Sequence, residues 1–166
     1  IAVAGGDPVG IEVRETIHGP ILNDVDERLR DAPLMALRWV ATLPEAGPYR
    51  TVEAFLRLNV ARDFDTFRDA LSIYGAPSQN FVYADVEGHI GYQLPGYIPV
   101  RSDAADRGLR PVSGSDATGE WVGRIAFEDL PTALDPAEGW IVSANNAVVD
   151  AGYPAFIGAD FDPGYR

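Results

Sequence analysis

Apolar and polar residues alternate near the start of the chain, and this pattern predicts a half-buried β-strand. Ile11, Val13 and Ile17 are apolar, and the positions between them are polar. The Gly-Pro pair at 19–20 ends this strand. Residues 34–40 then form a mostly apolar run, which predicts a second strand that is largely buried.

Apolar residues return at helical spacing in the middle of the chain, where they predict a helical pair across about 51–75. Thr51 and Asp63 are the expected N-caps, because both side chains can accept hydrogen bonds from the first turn of a helix. The expected apolar positions are Phe55, Leu56 and Val60 in the first helix, and Phe64, Phe67, Leu71 and Tyr74 in the second.

Two apolar runs at 80–85 and 89–93 predict a β-hairpin, because three residues separate them and Gly88 can supply a positive φ. Residues 101–120 are rich in Gly, Asp, Ser and Pro, which predicts a long surface loop. The remaining expected elements are a short strand at 121–127, a one-turn helix at 127–131 and a last strand at 140–147. Together these elements predict an α+β fold with the helical pair inserted between hairpins.

The composition predicts a folded domain and excludes some classes of partner. The chain has 166 residues, of which 46% are hydrophobic, and we expect residues 1–166 to form one segment with a real core. The formal net charge is -12, and all 13 basic residues are arginine, so nucleic acid and anionic membrane surfaces would repel the chain. There is no cysteine, and no apolar run reaches the roughly 18 residues of a membrane span.

The last third of the chain contains the residues best suited to chemistry. The predicted strand at 140–147 brings two neighbouring amides, Asn145 and Asn146, to its end. Such a pair commonly forms a turn, but an amide can also donate a hydrogen bond to a developing oxyanion. Arg166 is either a terminal residue without a role or a partner of that site. The residues alone leave both interpretations open.

The histidines and the acidic loops are weaker candidates. His18 precedes a Gly-Pro pair and is expected to form hydrogen bonds within a turn. His89 lies in the predicted hairpin without a partner at metal-ligand spacing. The acidic residues within 103–106 and 160–162 are expected to be solvated, with calcium binding as the alternative.

Several stretches resemble the penicillin amidase (penicillin acylase) family of N-terminal nucleophile hydrolases. The most specific is Tyr83-Ala84-Asp85, with Gly88 and then Ile90-Gly91-Tyr92 behind it, followed at 144–146 by Ala-Asn-Asn. The matching stretches occur in family order at 16–20, 80–92, 98–101, 127–131, 139–146 and 162–166. The resemblance places the chain in the middle of the large β subunit, and we expect it to be a piece of a longer polypeptide.

The resemblance implies hydrolysis of a linear amide to release a carboxylic acid, with no metal or organic cofactor in the reaction. The implied fold is part of a four-layer αββα sandwich. A precursor of this kind cleaves itself and exposes a serine, whose α-amino group serves as the base. A free α-amine has a pKa of about 7.7–8.0, so part of it is unprotonated near neutral pH. That serine lies outside this chain, because Ile1 is not a nucleophile and Ser143 matches no family nucleophile.

The resemblance also assigns roles to residues of this chain. It implies that Asn145 is the side-chain donor of the oxyanion hole and that Arg166 holds Asn145 or orients the amine. It implies a structural calcium ion in the complete enzyme, for which Asp106 and Asp160 are the candidates here. The expected partners are the rest of the β subunit and the α subunit, in a periplasmic or extracellular enzyme.

The resemblance leaves the substrate open. Ala144 stands where some penicillin acylases have a large aromatic residue, which changes the expected pocket. Three substrate classes stay open, in which the acyl group is that of a β-lactam side chain, an acyl-homoserine lactone or a lipopeptide. The alternative from another class is a catalytically inert module that only docks the rest of the protein. On either interpretation, this chain alone is expected to hydrolyse no amide.

Overall fold

The computed structural model describes residues 1–43, 50–102, 107–116, 119–144 and 146–158. The chain divides into two compact units, Ile1–Leu43 and Pro44–Arg166. Helices and antiparallel strands occur together, so the fold is α+β as the sequence predicts. In the described residues no helix has the length and apolar character that crossing a bilayer requires.

The first unit contains mostly turns. Strand β1 (Glu15–Thr16) pairs with β2 (Gly19–Pro20), and His18 lies in the turn between them. The predicted strands at 11–17 and 34–40 are therefore wrong over most of their length. Strand β1 is what forms of the first, and the second contributes only Ala36, in an isolated bridge with Ile21. The unit also has three 3-10 turns, at Leu22–Asp24, Glu27–Leu29 and Val40–Thr42.

The wrong prediction at 11–17 shows that alternation of apolar and polar residues is not sufficient to predict a strand. Ile11, Val13 and Ile17 are all exposed, although their pattern matches a half-buried strand. An apolar pattern marks side chains that favour burial, but a strand forms only where a neighbouring strand pairs with it. Within 11–17, pairing reaches only the two residues of β1.

The helical pair begins the second unit. Helix α1 (Thr51–Leu58) and helix α2 (Phe64–Leu71) lie within the predicted range. Asp63 is confirmed as an N-cap, because its carboxylate accepts the N–H of Thr66 at 2.7 Å. Thr51 is not an N-cap; it is the first helical residue, and its hydroxyl donates to the carbonyl of Ala76 at 3.2 Å. That hydrogen bond ties the start of α1 to the loop after α2.

In the described part of the chain, five strands follow the helices. They are β3 (Phe81–Ala84), β4 (Ile90–Gln93), β5 (Pro99–Arg101), β6 (Trp121–Arg124) and β7 (Thr132–Leu134). The order β3-β4-β7 forms a three-stranded antiparallel sheet, and β5 pairs with β6. The predicted hairpin is confirmed as β3 and β4, with Gly88 at a φ of 94°. The short strand at 121–127 and the one-turn helix at 127–131 are also present, as β6 and Phe127–Asp129.

Among the described residues of the second unit, two apolar clusters stabilise the fold. The first joins the helices to β3 through aromatic rings, with centroid separations of 5.2–6.0 Å. The second, here called the β5–β6 core, consists of Leu94, Ile98, Ile125 and Leu130. Gln93 is fully buried beside them, and its Oε1 accepts the Nε–H of Arg68 at 2.9 Å. The buried amide therefore links α2 to the sheet.

Candidate functional site

Residues 139–158 follow β7 and contain the amide pair that the sequence predicts as the site. Gly139 begins the segment with a φ of 74°. The predicted strand at 140–147 is wrong, since residues 140–144 and 146–147 adopt no strand. Trp140 and Val142 are exposed, and none of the described sheets includes these residues. The described residues on both sides of position 145 therefore form a loop.

The side chain of Asn146 links the residues on both sides of position 145. Its Oδ1 accepts the N–H of Ala144 at 2.9 Å, and its Nδ2 donates to the carbonyl of Ala147 at 3.0 Å. Asparagine forms such local bonds in turns, and this preference is the signal by which the role could be found in the sequence. Asn145 and Arg166, the two predicted catalytic residues, lie outside the described residues, so their predicted roles stay predictions.

The chain after Asn146 packs on the β5–β6 core. Its apolar contacts come from Val148, Ala155 and Ile157. The hydroxyl of Tyr153 donates to the carbonyl of Asp129 at 2.6 Å. Burial and the charge of Asp129 raise the pKa of Tyr153, so the hydroxyl keeps its proton. These contacts hold the residues after Asn146 against the β5–β6 core.

A depression of about 230 Å³ lies beside this segment. Its walls are mainly apolar, and two arginines at its edge lie over aromatic rings. The guanidinium of Arg101 is 5.6 Å from the ring centroid of Trp121, and that of Arg107 is 4.9 Å from that of Phe156. Such a surface suits an apolar group next to a negative charge. The lining residues are Pro99, Val100, Arg101, Arg107, Ile125, Pro154, Ala155 and Phe156.

The motif that includes Tyr83 and Asp85 has a structural role here. The Tyr83 hydroxyl donates to Oδ2 of Asp85 at 2.8 Å, and Oδ1 accepts the N–H groups of Glu87 and His89 at 2.9 and 3.0 Å. Partial burial and the Asp85 carboxylate raise the pKa of Tyr83 to about 12. The hydrogen bond from Tyr83 lowers the pKa of Asp85. Asp85 therefore shapes the turn between β3 and β4 as a charged acceptor.

Neither histidine of the chain lies within residues 139–158. His89 contacts Asp135 through Nδ1, and the N–H of His18 donates to Oγ1 of Thr16 at 3.1 Å. Within the part of the chain that the structure describes, no three His, Cys, Asp or Glu side chains form a group that could hold a metal ion. The calcium candidates Asp106 and Asp160 lie outside that part.

Comparison with known proteins identifies the family. The family model of penicillin amidase matches residues 1–166, and the chain therefore belongs to the penicillin amidase family. It is 32% identical over 166 residues to the penicillin acylase 2 proenzyme of Pseudomonas sp. strain SE83, covering 100% of this chain and 20% of that protein. It is 34% identical over 160 residues to the acyl-homoserine lactone acylase QuiP of Pseudomonas aeruginosa, covering 92% of this chain and 18% of that protein.

A solved structure agrees with this assignment. The thermostable penicillin G acylase from Alcaligenes faecalis superimposes with a TM-score of 0.72 at 28% identity, covering 98% of this chain and 27% of that chain. The chain thus spans 18–20% of the length of the two curated relatives named above. The relatives include both penicillin acylases and acyl-homoserine lactone acylases.

Proposed function

We propose that this chain is a segment of an acylase that hydrolyses a linear amide and releases a carboxylic acid. The observation that supports this most strongly is the family match over residues 1–166, together with relatives that are named acylases. In this proposal the chain is part of the β subunit and of an αββα sandwich, and the rest of the precursor supplies the α subunit and the nucleophile.

The proposed reaction begins outside this chain, at an N-terminal serine. Its hydroxyl attacks the acyl carbonyl while its own α-amino group takes the proton. The carbonyl oxygen becomes an oxyanion, and the amide of Asn145 donates a hydrogen bond to it. The intermediate then collapses, the amine leaves with a proton, and water hydrolyses the acyl-serine ester. Loss of one oxyanion donor of this kind costs about 2.7–4 kcal/mol in the transition state.

The neighbourhood of position 145 supports this role for its side chain. Asn146 links Ala144 to Ala147, and the following residues pack on the β5–β6 core. A donor contributes most when its backbone is held in place before the reaction, because no reorganisation is then needed. Arg166 is proposed to hold or orient Asn145 or the amine through its guanidinium.

Acyl-homoserine lactones are the second candidate substrate class. The specific support is the relative QuiP, at 34% identity over 160 residues. Both candidates share the same amide chemistry and differ in the acyl chain and the leaving amine. A periplasmic or extracellular location and a structural calcium ion in the complete enzyme remain part of the proposal.

Mutation of Asn145 tests the proposal in the polypeptide that the complete gene encodes. Asn145→Ala is expected to lower kcat on a chromogenic acyl anilide by roughly 10²–10³-fold, with self-processing still detectable. Ser143→Ala is the matched control two residues away, and its kcat should equal that of the wild type. An unchanged kcat in Asn145→Ala would remove this residue from the oxyanion hole.

Activity assays of the isolated chain and of the complete polypeptide distinguish the acylase from the inert docking module. The 166-residue chain alone should give no turnover above buffer, whereas a clear rate would show that it contains its own nucleophile. The complete polypeptide should hydrolyse a penicillin or an N-acyl-homoserine lactone, and the ratio of kcat/KM values assigns the substrate class. Absence of turnover with every amide in such a panel would favour the inert docking module.

A further inference from the structure

Helix α1 presents an apolar surface to solvent. The α1 stripe is defined here as Val52, Phe55 and Leu56 of α1 together with Val60, two residues after its end, and their spacing is that of residues on one side of a helix. Their exposed fractions lie between 49% and 75%. The buried contribution of α1 comes instead from Ala54, which is fully enclosed. Much of the surface of the four stripe side chains is therefore open to solvent.

The aromatic cluster beneath helix α1 holds part of the α1 stripe in place. The ring of Phe55 contacts Tyr74 and Phe81, with centroid separations of 5.9 and 6.0 Å. One part of that ring thus packs in the aromatic cluster while the rest is exposed. A surface held in this way loses little conformational freedom when a partner covers it.

Three arginines, Arg50, Arg57 and Arg62, border the stripe in sequence, although the chain as a whole is acidic. Glu53 is held by both Arg50 and Arg57, with Arg57 Nη2 at 2.7 Å from Oε1. Arg62 is exposed two residues after Val60, and it forms no ion pair with any residue of the described ranges. The whole chain has a net charge of -12. A second copy would be repelled overall, whereas an apolar segment bordered by carboxylates would be attracted.

We propose that the α1 stripe is an internal docking surface, covered by an apolar, carboxylate-bordered segment of the acylase polypeptide outside residues 1–166. This inference rests on the proposed function, because it requires the chain to be part of a longer acylase. The length of the relatives is consistent with such a segment, since this chain corresponds to only 20% of the penicillin acylase 2 proenzyme. The stripe would then be part of the interface between this chain and the rest of the enzyme.

Thiol labelling tests the proposal directly, because the chain contains no cysteine. Leu56→Cys is prepared in the 166-residue chain and in the complete polypeptide, and maleimide modification of its peptide is followed by mass spectrometry. Val86→Cys is the control, at a fully exposed position in the β3–β4 turn. Each rate is divided by the rate of the same variant in denaturant. Val52→Cys repeats the measurement if Leu56→Cys does not fold.

The expected result is about tenfold or stronger protection of Leu56→Cys in the complete polypeptide, with rapid labelling in the 166-residue chain. Adding Arg62→Glu should raise the labelling rate of Leu56→Cys in the complete polypeptide only. An unchanged rate would overturn the proposal that carboxylates border the covering segment. Equal labelling of Leu56→Cys in both proteins would overturn the docking surface. Protection already present in the 166-residue chain would also overturn it, and its concentration dependence would distinguish a second copy from residues 1–43.

Hydrolysis of acyl amides is measured on the same preparations, so that failure of the acylase proposal can be distinguished from failure of the docking-surface proposal. Protection without hydrolysis of any acyl amide would contradict the proposed function and support the docking surface. Hydrolysis with full labelling of Leu56→Cys would support the acylase and contradict the docking surface.

Discussion

The imidazole Nδ1 of His89 lies 2.6 Å from Oδ2 of Asp135. The other carboxylate oxygen of Asp135 accepts the N–H of Ile90 at 3.0 Å, and the backbone N–H of Asp135 donates to the carbonyl of Ile90 at 2.8 Å. Asp135 adopts a φ of 47°, which places it in the left-handed region just after β7. This pair therefore fastens the end of β7 to the start of β4.

The pair predicts a stability that depends on pH. The Asp135 carboxylate raises the pKa of His89, while the N–H of Ile90 and the imidazole lower the pKa of Asp135. The contribution of His89 is complete below its unfolded pKa of about 6.5 and is lost as pH rises through the higher folded value. The contribution of Asp135 is present above its unfolded pKa of about 3.9 and is lost as pH falls through the lower folded value.

His89→Gln should therefore lower the free energy of unfolding more at about pH 5.5 than at about pH 9. Urea denaturation of the 166-residue chain at both pH values measures the difference. Asp135→Asn is the control background, in which the pH dependence of the His89→Gln effect should shrink to the smaller part that Asp85 and Glu87 supply. A His89→Gln effect that is equal at both pH values in the wild-type background would contradict the ion pair.

A second prediction concerns the space above β4. A Cβ atom on Gly91 would lie 2.4 Å from Cε2 of Phe64 and 3.3 Å from the carbonyl oxygen of Ala133. Phe64 is packed between Phe67 and Tyr83, so its ring has little room to move. Gly91→Ala should lower the free energy of unfolding by about 1–3 kcal/mol. Gly123→Ala in β6 is the matched strand control, because nothing lies within 4 Å of its Cβ, and equal effects would contradict the packing argument.

The elements that the sequence predicts correctly have local causes. Helix α2 begins at Asp63, whose side chain accepts a hydrogen bond three residues ahead, and the β3–β4 turn has Gly88 at a positive φ. Strand β7 has neither signal, and it exists because its three residues pair with β4. Pairing between distant residues is not encoded in a short window, which is why β7 was missed and the strand at 140–147 was wrong.

The candidate site could be predicted only in part, because the contacts that support it also join residues distant in sequence. The amide pair is visible in the sequence, but its support is not. Val148 and Ile157 contact a cluster built from residues that lie as far back as Leu94. Asn146 could have been distinguished from Asn145 only by the local hydrogen bonds that asparagine forms with neighbouring backbone groups.

A third prediction concerns the buried amide of Gln93. Its Oε1 accepts the Nε–H of Arg68 at 2.9 Å, and its Nε2 donates to the carbonyl of Leu94 at 3.2 Å. Gln93→Leu keeps most of the volume but removes both bonds, so the free energy of unfolding should fall by about 1–3 kcal/mol. A double-mutant cycle with Arg68→Met should give a coupling energy of about 0.5–3 kcal/mol. A coupling energy of zero would mean that the two side chains do not support each other.

A fourth prediction follows from the position of Asn146 beside the proposed oxyanion donor. Its side chain bonds Ala144 and Ala147, and it is proposed to act by positioning the turn rather than by touching the substrate. In the complete polypeptide, Asn146→Ala should lower kcat by about 10–10²-fold with a smaller change in KM, because a displaced donor loses much of its effect.

Asn146→Asp distinguishes this role from a general loss of structure. Aspartate keeps an oxygen that can accept the N–H of Ala144 but loses the donor to Ala147, so kcat should recover part of the loss seen with Asn146→Ala. The double variant Asn145→Ala/Asn146→Ala should be little slower than Asn145→Ala alone, because positioning a donor that has been removed has no value. Fully additive losses in the double variant would show that Asn146 acts independently of residue 145.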